Sequence, residues 1–289
     1  MLKSVLPSLL ASILLAALAA QASARLIIGG IILTDHNSDV FKTLTANGTD
    51  TVAVEIFDKM IASSTTHGFV DATHATQHWH VRKEIITAIG EMGSTIHYSF
   101  GSPRAWVFPA GFKATGQGRP YFFKQSDPRQ KASDGIKAIE TGTTETECVT
   151  CLDATILIGH RRAYGDAWID ANMSAGSIVI DSEFKFTWRV PDTTHVPGDY
   201  LYMSNPPDYE AKAIAHGTTN RVWTGENTIY EGGDKYSGLG LLHESEADLR
   251  EDLRNGYNTD TGESMTAEDA RERIRFTIHS FIVISPKAS

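Results

Sequence analysis

The feature that most constrains the fold is a long apolar segment that begins at a cysteine. Residues 148–159 are apolar nearly all round, which is typical of a helix buried inside a core. Thr144 and Glu147 lie three residues apart in a capping-box pattern, so we predict that the helix starts there. Basic residues at 160–162 follow the segment, where the helix dipole favours positive charge. The pattern predicts a central helix with Cys148 in its first turn.

A cysteine at the start of a helix has two competing interpretations. The unpaired N–H groups and the positive end of the helix dipole favour the thiolate, which makes Cys148 a candidate nucleophile. The same N–H groups can receive an oxyanion that develops during acyl transfer. Free cysteines are also often small buried apolar residues, and the helix start alone does not decide between the two.

The chain has two cysteines, Cys148 and Cys151, and their C-x-x-C spacing adds further alternatives. A thioredoxin-type redox pair would follow a strand directly, whereas a stretch rich in Thr and Glu comes first here. A structural zinc site needs a second pair of ligands, and the sequence offers none with comparable spacing. His74, His78 and His80 could bind a metal, but surface histidines on a polar helix face are the commoner explanation. We predict neither a metal nor a cofactor.

The first residues have the three-part pattern of a secretory signal peptide. Lys3 is the basic region, residues 9–20 are the apolar run, and Ala22-Ser23-Ala24 is an A-x-A cleavage site. The apolar run is too short for a membrane anchor. We predict that residues 1–24 are removed and that residues 25–289 form a single catalytic domain, secreted and not bound to a membrane after cleavage.

Charge excludes one broad class of partner. The net charge is −9 and no basic block occurs, which argues against binding to nucleic acid or to an anionic membrane. With 41% hydrophobic and 21% charged residues, the composition is that of an ordinary globular protein.

Helical periodicity dominates before the middle of the chain and strand patterns dominate after it. The predicted helices span residues 51–62, 71–90, 136–140, the Cys148 segment and a last helix from Thr266 to Pro286. The predicted strands include residues 94–100, 105–108, 178–180, 184–188, 200–203 and 227–231, with a tight turn at 232–233. Residues 244–265 are predicted to be an exposed connection with helical pieces. We predict an α+β fold in which the Cys148 helix packs on a mostly antiparallel sheet.

A cysteine nucleophile needs a proton acceptor supplied from elsewhere in the sequence. The candidates on or beside the predicted strands are Glu226, His195, Asp234 and His243, and Glu147 is adjacent in sequence. The residue types alone leave the choice among them open.

Three stretches that follow the Glu147-Cys148 pair carry a family resemblance. They are Gly-Asp-Tyr-Leu-Tyr-Met-Ser-Asn-Pro at 198–206, Trp-Thr-Gly-Glu-Asn at 223–227 and Gly-Asp-Lys-Tyr at 233–236. In this order they resemble the bacterial spore-coat transglutaminases of the Bacillus type, over about residues 145–241. The resemblance implies a core related to NlpC/P60 and papain-like cysteine hydrolases and an activity without calcium.

The resemblance also implies roles for individual residues. Cys148 would attack the carboxamide of a protein glutamine, release ammonia and keep the acyl group as a thioester, which a lysine amine of a second protein converts to an isopeptide bond. Glu226 would be the acidic partner and Glu147 the other carboxylate involved. A carboxylate close to the thiol raises the pKa of the thiol, so the pair should titrate together.

One family feature is missing, and it keeps other functions open. The relatives have a histidine before the Leu-Gly that corresponds to 239–240, whereas this chain has none there, which leaves His195 or His243 as substitutes. The alternative enzyme is a secreted cysteine hydrolase, a glutamine deamidase or peptidase, at the same site. A non-catalytic secreted binding protein is the third possibility.

Overall fold

The computed structural model describes residues 26–101, 112–114, 123–125, 131–173, 194–219 and 222–279. They divide into two compact units, the first with residues 26–76 and 194 and the second with the others. Compact units do not by themselves define independent domains, so the single catalytic domain stays a prediction. The signal peptide, the strands predicted at 105–108, 178–180 and 184–188, and the end of the last helix lie outside the described residues.

The first unit contains a small mixed sheet and two helices. Its strands and helices are β1 (Leu26–Ile28), β2 (Ile31–Leu33), α1 (Asp39–Leu44), α2 (Thr51–Ala62) and β3 (His67–Phe69). Strand β1 pairs antiparallel with β2 and parallel with β3. The helix predicted at 51–62 is confirmed, because the Asp50 side chain caps it by accepting a hydrogen bond from the Ala53 N–H at 3.0 Å.

Helix α3 (Ala72–Glu91) contributes its first residues to the first unit and the remainder to the second. Its start is confirmed near the predicted cap, because the Asp71 carboxylate accepts a hydrogen bond from the His74 N–H at 2.7 Å. In the second unit it is followed by short strands and three helices. These are β4 (Tyr98–Phe100), β5 (Phe112–Ala114), β6 (Phe123–Gln125), α4 (Ala132–Thr141), β7 (Thr144–Thr146), α5 (Cys148–Tyr164) and α6 (Asp166–Asn172).

The remaining elements build a five-stranded sheet and the helices beside it. They are β8 (Tyr200–Ser204), α7 (Tyr209–His216), a 3-10 turn (Val222–Thr224), β9 (Gly225–Gly232), β10 (Lys235–Gly238), β11 (Leu241–Glu244), α8 (Glu246–Thr261), α9 (Ala267–Arg273) and β12 (Arg275–His279). The strand order is β11-β10-β9-β8-β12, and every neighbouring pair is antiparallel. Helix α5 contacts β9 and β10. The predicted α+β fold, with the Cys148 helix on an antiparallel sheet, is confirmed.

A buried cluster surrounds α5 and explains why its sequence is apolar all round. Gly159 lies so close to α3 that an added Cβ would meet the Ile85 backbone nitrogen at 2.8 Å. A buried ion pair joins α3 to the start of β8, since Arg82 Nη1 lies 2.9 Å from Asp199 Oδ1 and both side chains are almost fully buried. The first residues of β8 are thereby held in position beside α5.

The predicted start of the Cys148 helix is wrong. Residues Thr144–Thr146 form strand β7, which pairs in parallel with β4, and the Thr144 N–H donates to the His97 carbonyl at 2.9 Å. The threonines are β-branched and fit a strand once a partner is present. The cap is Glu147 itself, so Cys148 is the first helical residue. Arg161 and Arg162 lie in the last turn, as predicted.

The predicted continuation of the last helix beyond residue 273 is also wrong. Residues 275–279 form edge strand β12, which pairs along the whole of β8, and do not continue the helix capped by Thr266. Apolar residues at 274, 276 and 278 alternate, which suits a strand as well as a helix over so short a length. The connection predicted over 244–265 contains a helical piece, as predicted, but this helix α8 is not wholly exposed, since its Leu249, Leu253 and Tyr257 are buried.

A search of the described residues for a helix long and apolar enough to cross a membrane finds none.

Candidate active site

The Cys148 thiol is half-buried at the N-terminus of α5 and has two polar neighbours. The side-chain amide nitrogen of Asn227 lies 3.0 Å from Cys148 Sγ. The thiol points towards Glu147 Oε2, at 3.8 Å. The sulfur therefore lies between the cap of its own helix and strand β9.

Glu147 is occupied as a helix cap. Its Oε2 accepts a hydrogen bond from the Val149 N–H at 2.8 Å, and its Oε1 accepts one from the Thr150 N–H at 2.9 Å. The Thr150 hydroxyl also donates to Oε1. These two N–H groups are thus bound to a carboxylate and are not available to an oxyanion, contrary to the expectation for a bare helix N-terminus.

Asn227 is held by a second hydrogen bond on the side away from the sulfur. The Tyr200 hydroxyl donates to Asn227 Oδ1 at 2.6 Å, and both side chains are buried. Sequence reasoning placed Asn227 and Tyr200 in the family-like stretches but gave them no role. The alternation of side chains along β8 and β9 is the signal that could have placed them on the same face of the sheet.

Glu226 lies on β9 directly before Asn227. One of its oxygens, Oε2, is buried and has no hydrogen-bond partner among the residues that the structure describes. Burial, followed by the nearby carboxylates of Asp252 and Glu147, raises the pKa of Glu226 to about 7, against a hydrogen bond with the Asn227 backbone that lowers it. In the described part of the chain, Glu226 makes no hydrogen bond to Cys148 Sγ.

The charges around Cys148 keep its thiol protonated at rest. Burial raises the pKa of Cys148 to about 12, and the negative charges of Glu226 and Glu147 contribute in the same direction. Hydrogen bonds from the Asn227 side chain and backbone oppose this rise. The helix N-terminus alone predicted a thiolate, but desolvation and two carboxylates outweigh it.

The other candidate partners lie elsewhere. His195 Nδ1 is 2.9 Å from the Tyr236 hydroxyl, and His243 Nδ1 is 2.7 Å from Glu231 Oε2. Asp234 has a positive φ of 59° in the tight turn between β9 and β10. Within the described ranges, no histidine forms a hydrogen bond with Cys148.

Cys151 is a free thiol, as is Cys148, and it is fully buried in the core around α5. Burial is the main cause that raises the pKa of Cys151, followed by the charge of Cys148.

The histidines considered as metal ligands have other neighbours. His80 Nε2 lies 3.3 Å from Glu84 Oε1, and the ring of His74 packs edge-on against Phe69. The described residues contain no group of three or more His, Cys, Asp or Glu that could hold a metal ion.

Comparison with known proteins identifies the family. No curated protein matches the chain. A solved structure titled "Transglutaminase from Geobacillus stearothermophilus (without C-terminal extension)" is similar at 17% identity and a TM-score of 0.46, covering 70% of this chain and 97% of that chain. The family model described as protein-glutamine gamma-glutamyltransferase matches residues 31–280. Because this match spans most of the chain, the protein belongs to the protein-glutamine gamma-glutamyltransferase family and is an enzyme of that class.

Proposed function

We propose that this enzyme forms γ-glutamyl-ε-lysine bonds between proteins through a thioester on Cys148, without calcium. The observation that carries the proposal is the setting of Cys148. Its thiol lies at the first residue of the central helix, and its pKa responds to Glu226, a buried carboxyl whose own pKa is about 7. Such a carboxyl can accept and return a proton near neutral pH. Family membership supports cross-linking acyl transfer as the reaction.

The first half-reaction joins the sulfur to the glutamine carboxamide. A bond forms between Cys148 Sγ and the carboxamide carbon, and the bond from that carbon to nitrogen breaks. The thiol proton passes through a carboxylate to the leaving nitrogen, which departs as ammonia. Since the thiol and Glu226 share one negative charge at neutral pH, moving the proton between them leaves the charge of the pair unchanged.

The second half-reaction releases the enzyme. A neutral lysine amine attacks the thioester carbon, a bond from carbon to nitrogen forms, and the bond from carbon to sulfur breaks. The amine proton returns to the sulfur through the same carboxylate. We assign this carrier role to Glu226, because its pKa of about 7 suits proton exchange near neutral pH. Since Glu226 makes no direct hydrogen bond to Sγ, we propose that the proton passes through one bridging water or through the reacting substrate.

A hydrolase at the same site is the second candidate. Water would then replace the lysine amine, and the product would be a glutamate side chain. The observation in its favour is that this chain lacks the histidine that its relatives have before the Leu-Gly at 239–240, and that no described histidine bonds to Cys148 in its place.

The test uses a glutamine-bearing protein and a labelled primary amine. Cys148→Ala should abolish amine incorporation, whereas Cys151→Ala should retain most of it, because Cys151 is buried in the core. Full activity of Cys148→Ala would overturn the proposal. Ammonia release without incorporation at saturating amine would identify the hydrolase. Retained incorporation in excess EDTA would support calcium independence.

Three further points are proposals with their own checks. A core related to papain-like hydrolases follows from the resemblance and would be tested by a crystal structure. Secretion after cleavage at residue 24 would be tested by the mass of the mature protein. Protein substrates that offer Gln and Lys, with no nucleic acid or membrane partner, would be tested by identifying cross-linked peptides.

A further inference from the structure

A side-chain amide lies closer to the Cys148 sulfur than the carboxylate of the helix cap does. Asn227 Nδ2 lies 3.0 Å from Sγ, whereas the nearer carboxylate oxygen of Glu147 lies 3.8 Å away. Asn227 is almost fully buried, so its hydrogen bonds are made within the protein. An amide N–H can donate to a thiolate, but a carboxylate cannot.

The Tyr200 hydroxyl binds the oxygen end of the Asn227 amide. It donates to Asn227 Oδ1 at 2.6 Å, which leaves Nδ2 directed at Sγ. If the amide turned over, its oxygen would face the sulfur and repel a thiolate. By donating to the amide oxygen, the buried Tyr200 on β8 supports the amide orientation that suits the ionised form of Cys148.

We propose that Asn227 is a further catalytic residue, which donates a hydrogen bond to the Cys148 thiolate, and that Tyr200 is the positioning residue that fixes its amide. The proposal rests on the proposed role of Cys148 as nucleophile. The proton that leaves Sγ is relayed to the Glu226 carboxylate through a bridging water or the substrate, and the Asn227 N–H then bonds to the anion that remains. The same donor stabilises the sulfur again when the lysine amine displaces it from the thioester.

The surroundings of the thiol make this donor important. Among the described residues, the ionisable groups that act most strongly on Cys148 all carry or can acquire negative charge, and none of these groups is a cation that would stabilise a thiolate. They are Glu147 at the cap, Glu226 on β9, Tyr200 and Tyr202 on β8, and Cys151 in the next turn of α5. Hydrogen bonds from Asn227 are the influence that lowers the pKa of Cys148 against these groups.

The test measures the rate at which iodoacetamide alkylates Cys148 as a function of pH, with peptide mass spectrometry to separate Cys148 from Cys151. Asn227→Ala should alkylate at least about tenfold more slowly at a fixed pH, since a hydrogen bond to a charged group shifts an equilibrium by roughly that much. Tyr200→Phe should show a smaller slowing, because the amide remains but can turn. Asn227→Asp should be slower than Asn227→Ala, because it adds a third carboxylate.

Tyr98→Phe is the matched control. Tyr98 is also a buried tyrosine beside α5, but its hydroxyl bonds to Thr146 Oγ1 and not to Asn227. Its alkylation profile should match that of the wild type. Circular dichroism establishes that each variant is folded, and if the Asn227 variants do not fold, the comparison of Tyr200→Phe with Tyr98→Phe decides.

The outcomes separate this inference from the proposed function. If the folded Asn227 and Tyr200 variants have the wild-type alkylation profile while Cys148→Ala is inactive, the role of Asn227 is overturned and Cys148 remains the nucleophile. If Cys148→Ala keeps its activity, the proposed function fails first. A purely structural role for Asn227 would lower the melting temperature without moving the alkylation profile with pH.

Discussion

Glu226 lies opposite Met203 across strands β9 and β8, whereas its neighbour Asn227 lies opposite Tyr202. Residues directly opposite each other in a sheet share a face, and consecutive residues face opposite sides. Met203 belongs to the cluster that packs with α8, on the side of the sheet away from α5. The Cys148 thiol therefore contacts the Asn227 amide and the Glu147 cap, whereas Glu226 acts on it through its charge and makes no direct hydrogen bond to the sulfur. A proton exchanged between Cys148 and Glu226 has to pass through one bridging water or through the reacting substrate.

Glu226→Gln should change how activity depends on pH. The pKa of Glu226 is about 7, so the carboxylate that accepts the thiol proton is present above that pH and is lost below it. We expect kcat/KM for amine incorporation to rise with pH through about 7 in the wild type. In Glu226→Gln the activity should fall by about a hundredfold or more and this rise should disappear. If kcat/KM of the variant still rose with pH through about 7, another group would have to accept the proton.

The same substitution should stabilise the protein at alkaline pH. The pKa of Glu226 is raised from 4.5 to about 7, so the folded state holds this proton more tightly than the unfolded state does. The carboxyl therefore destabilises the folded state increasingly as the pH rises from about 4.5 to about 7, by up to about 3 kcal/mol.

Urea unfolding at two pH values checks this expectation. Glu226→Gln should be more stable than the wild type by about 1–3 kcal/mol at pH about 8, because the ionised carboxyl is absent. At pH about 4 both proteins are neutral at this position and their stabilities should agree. Equal gains at both pH values would attribute the effect to packing and not to ionisation.

Glu147 caps helix α5 and also carries a negative charge beside Cys148, and two substitutions separate these two effects. Glu147→Ala removes the acceptor of the Val149 and Thr150 N–H groups and should cost about 1 kcal/mol of unfolding free energy. Glu147→Gln keeps a carbonyl oxygen for capping but removes a charge that raises the pKa of Cys148. We expect Glu147→Gln to speed alkylation of Cys148 at a fixed pH and to lose less stability than Glu147→Ala, because its amide oxygen can still accept one of the two N–H groups. Slower alkylation in Glu147→Gln would show that the carboxylate helps to remove the thiol proton.

Gly159→Ala should destabilise the protein, although the same change usually stabilises an exposed helix by up to about 1 kcal/mol. An added Cβ would lie 2.5 Å from Ile85 Cγ1 and 2.8 Å from the Ile85 backbone nitrogen, so α3 and α5 would have to separate. We expect a loss of about 1–3 kcal/mol, measured by urea unfolding. A gain in stability would mean that the two helices are not in such close contact.

Several features of the fold could be read from a few neighbouring residues. Asp50 and Asp71 mark the starts of α2 and α3 because a short polar side chain before an apolar periodic segment caps a helix locally. The apolar character of 148–159 predicted burial of α5, and the spacing of apolar residues predicted β8. The family-like stretches pointed to Cys148 and its two neighbouring carboxylates.

Other features of the fold depend on strand pairing and burial by segments that are distant in the sequence. Residues 144–146 became a strand because β4 lies alongside them, and residues 275–279 became a strand because β8 was free to pair at its outer edge. Neither partner is visible within a local window of sequence, and the local patterns favoured helices.

The sequence by itself determined that a cysteine begins a buried helix in a transglutaminase family member, since those signals lie in short contiguous stretches. Only the tertiary structure decided what touches that cysteine. The register of β8 and β9 turns Asn227 towards the sulfur, and the burial of Cys148 beside two carboxylates keeps its thiol neutral. Register and desolvation depend on how distant segments pack, so the residue types alone could not reveal them.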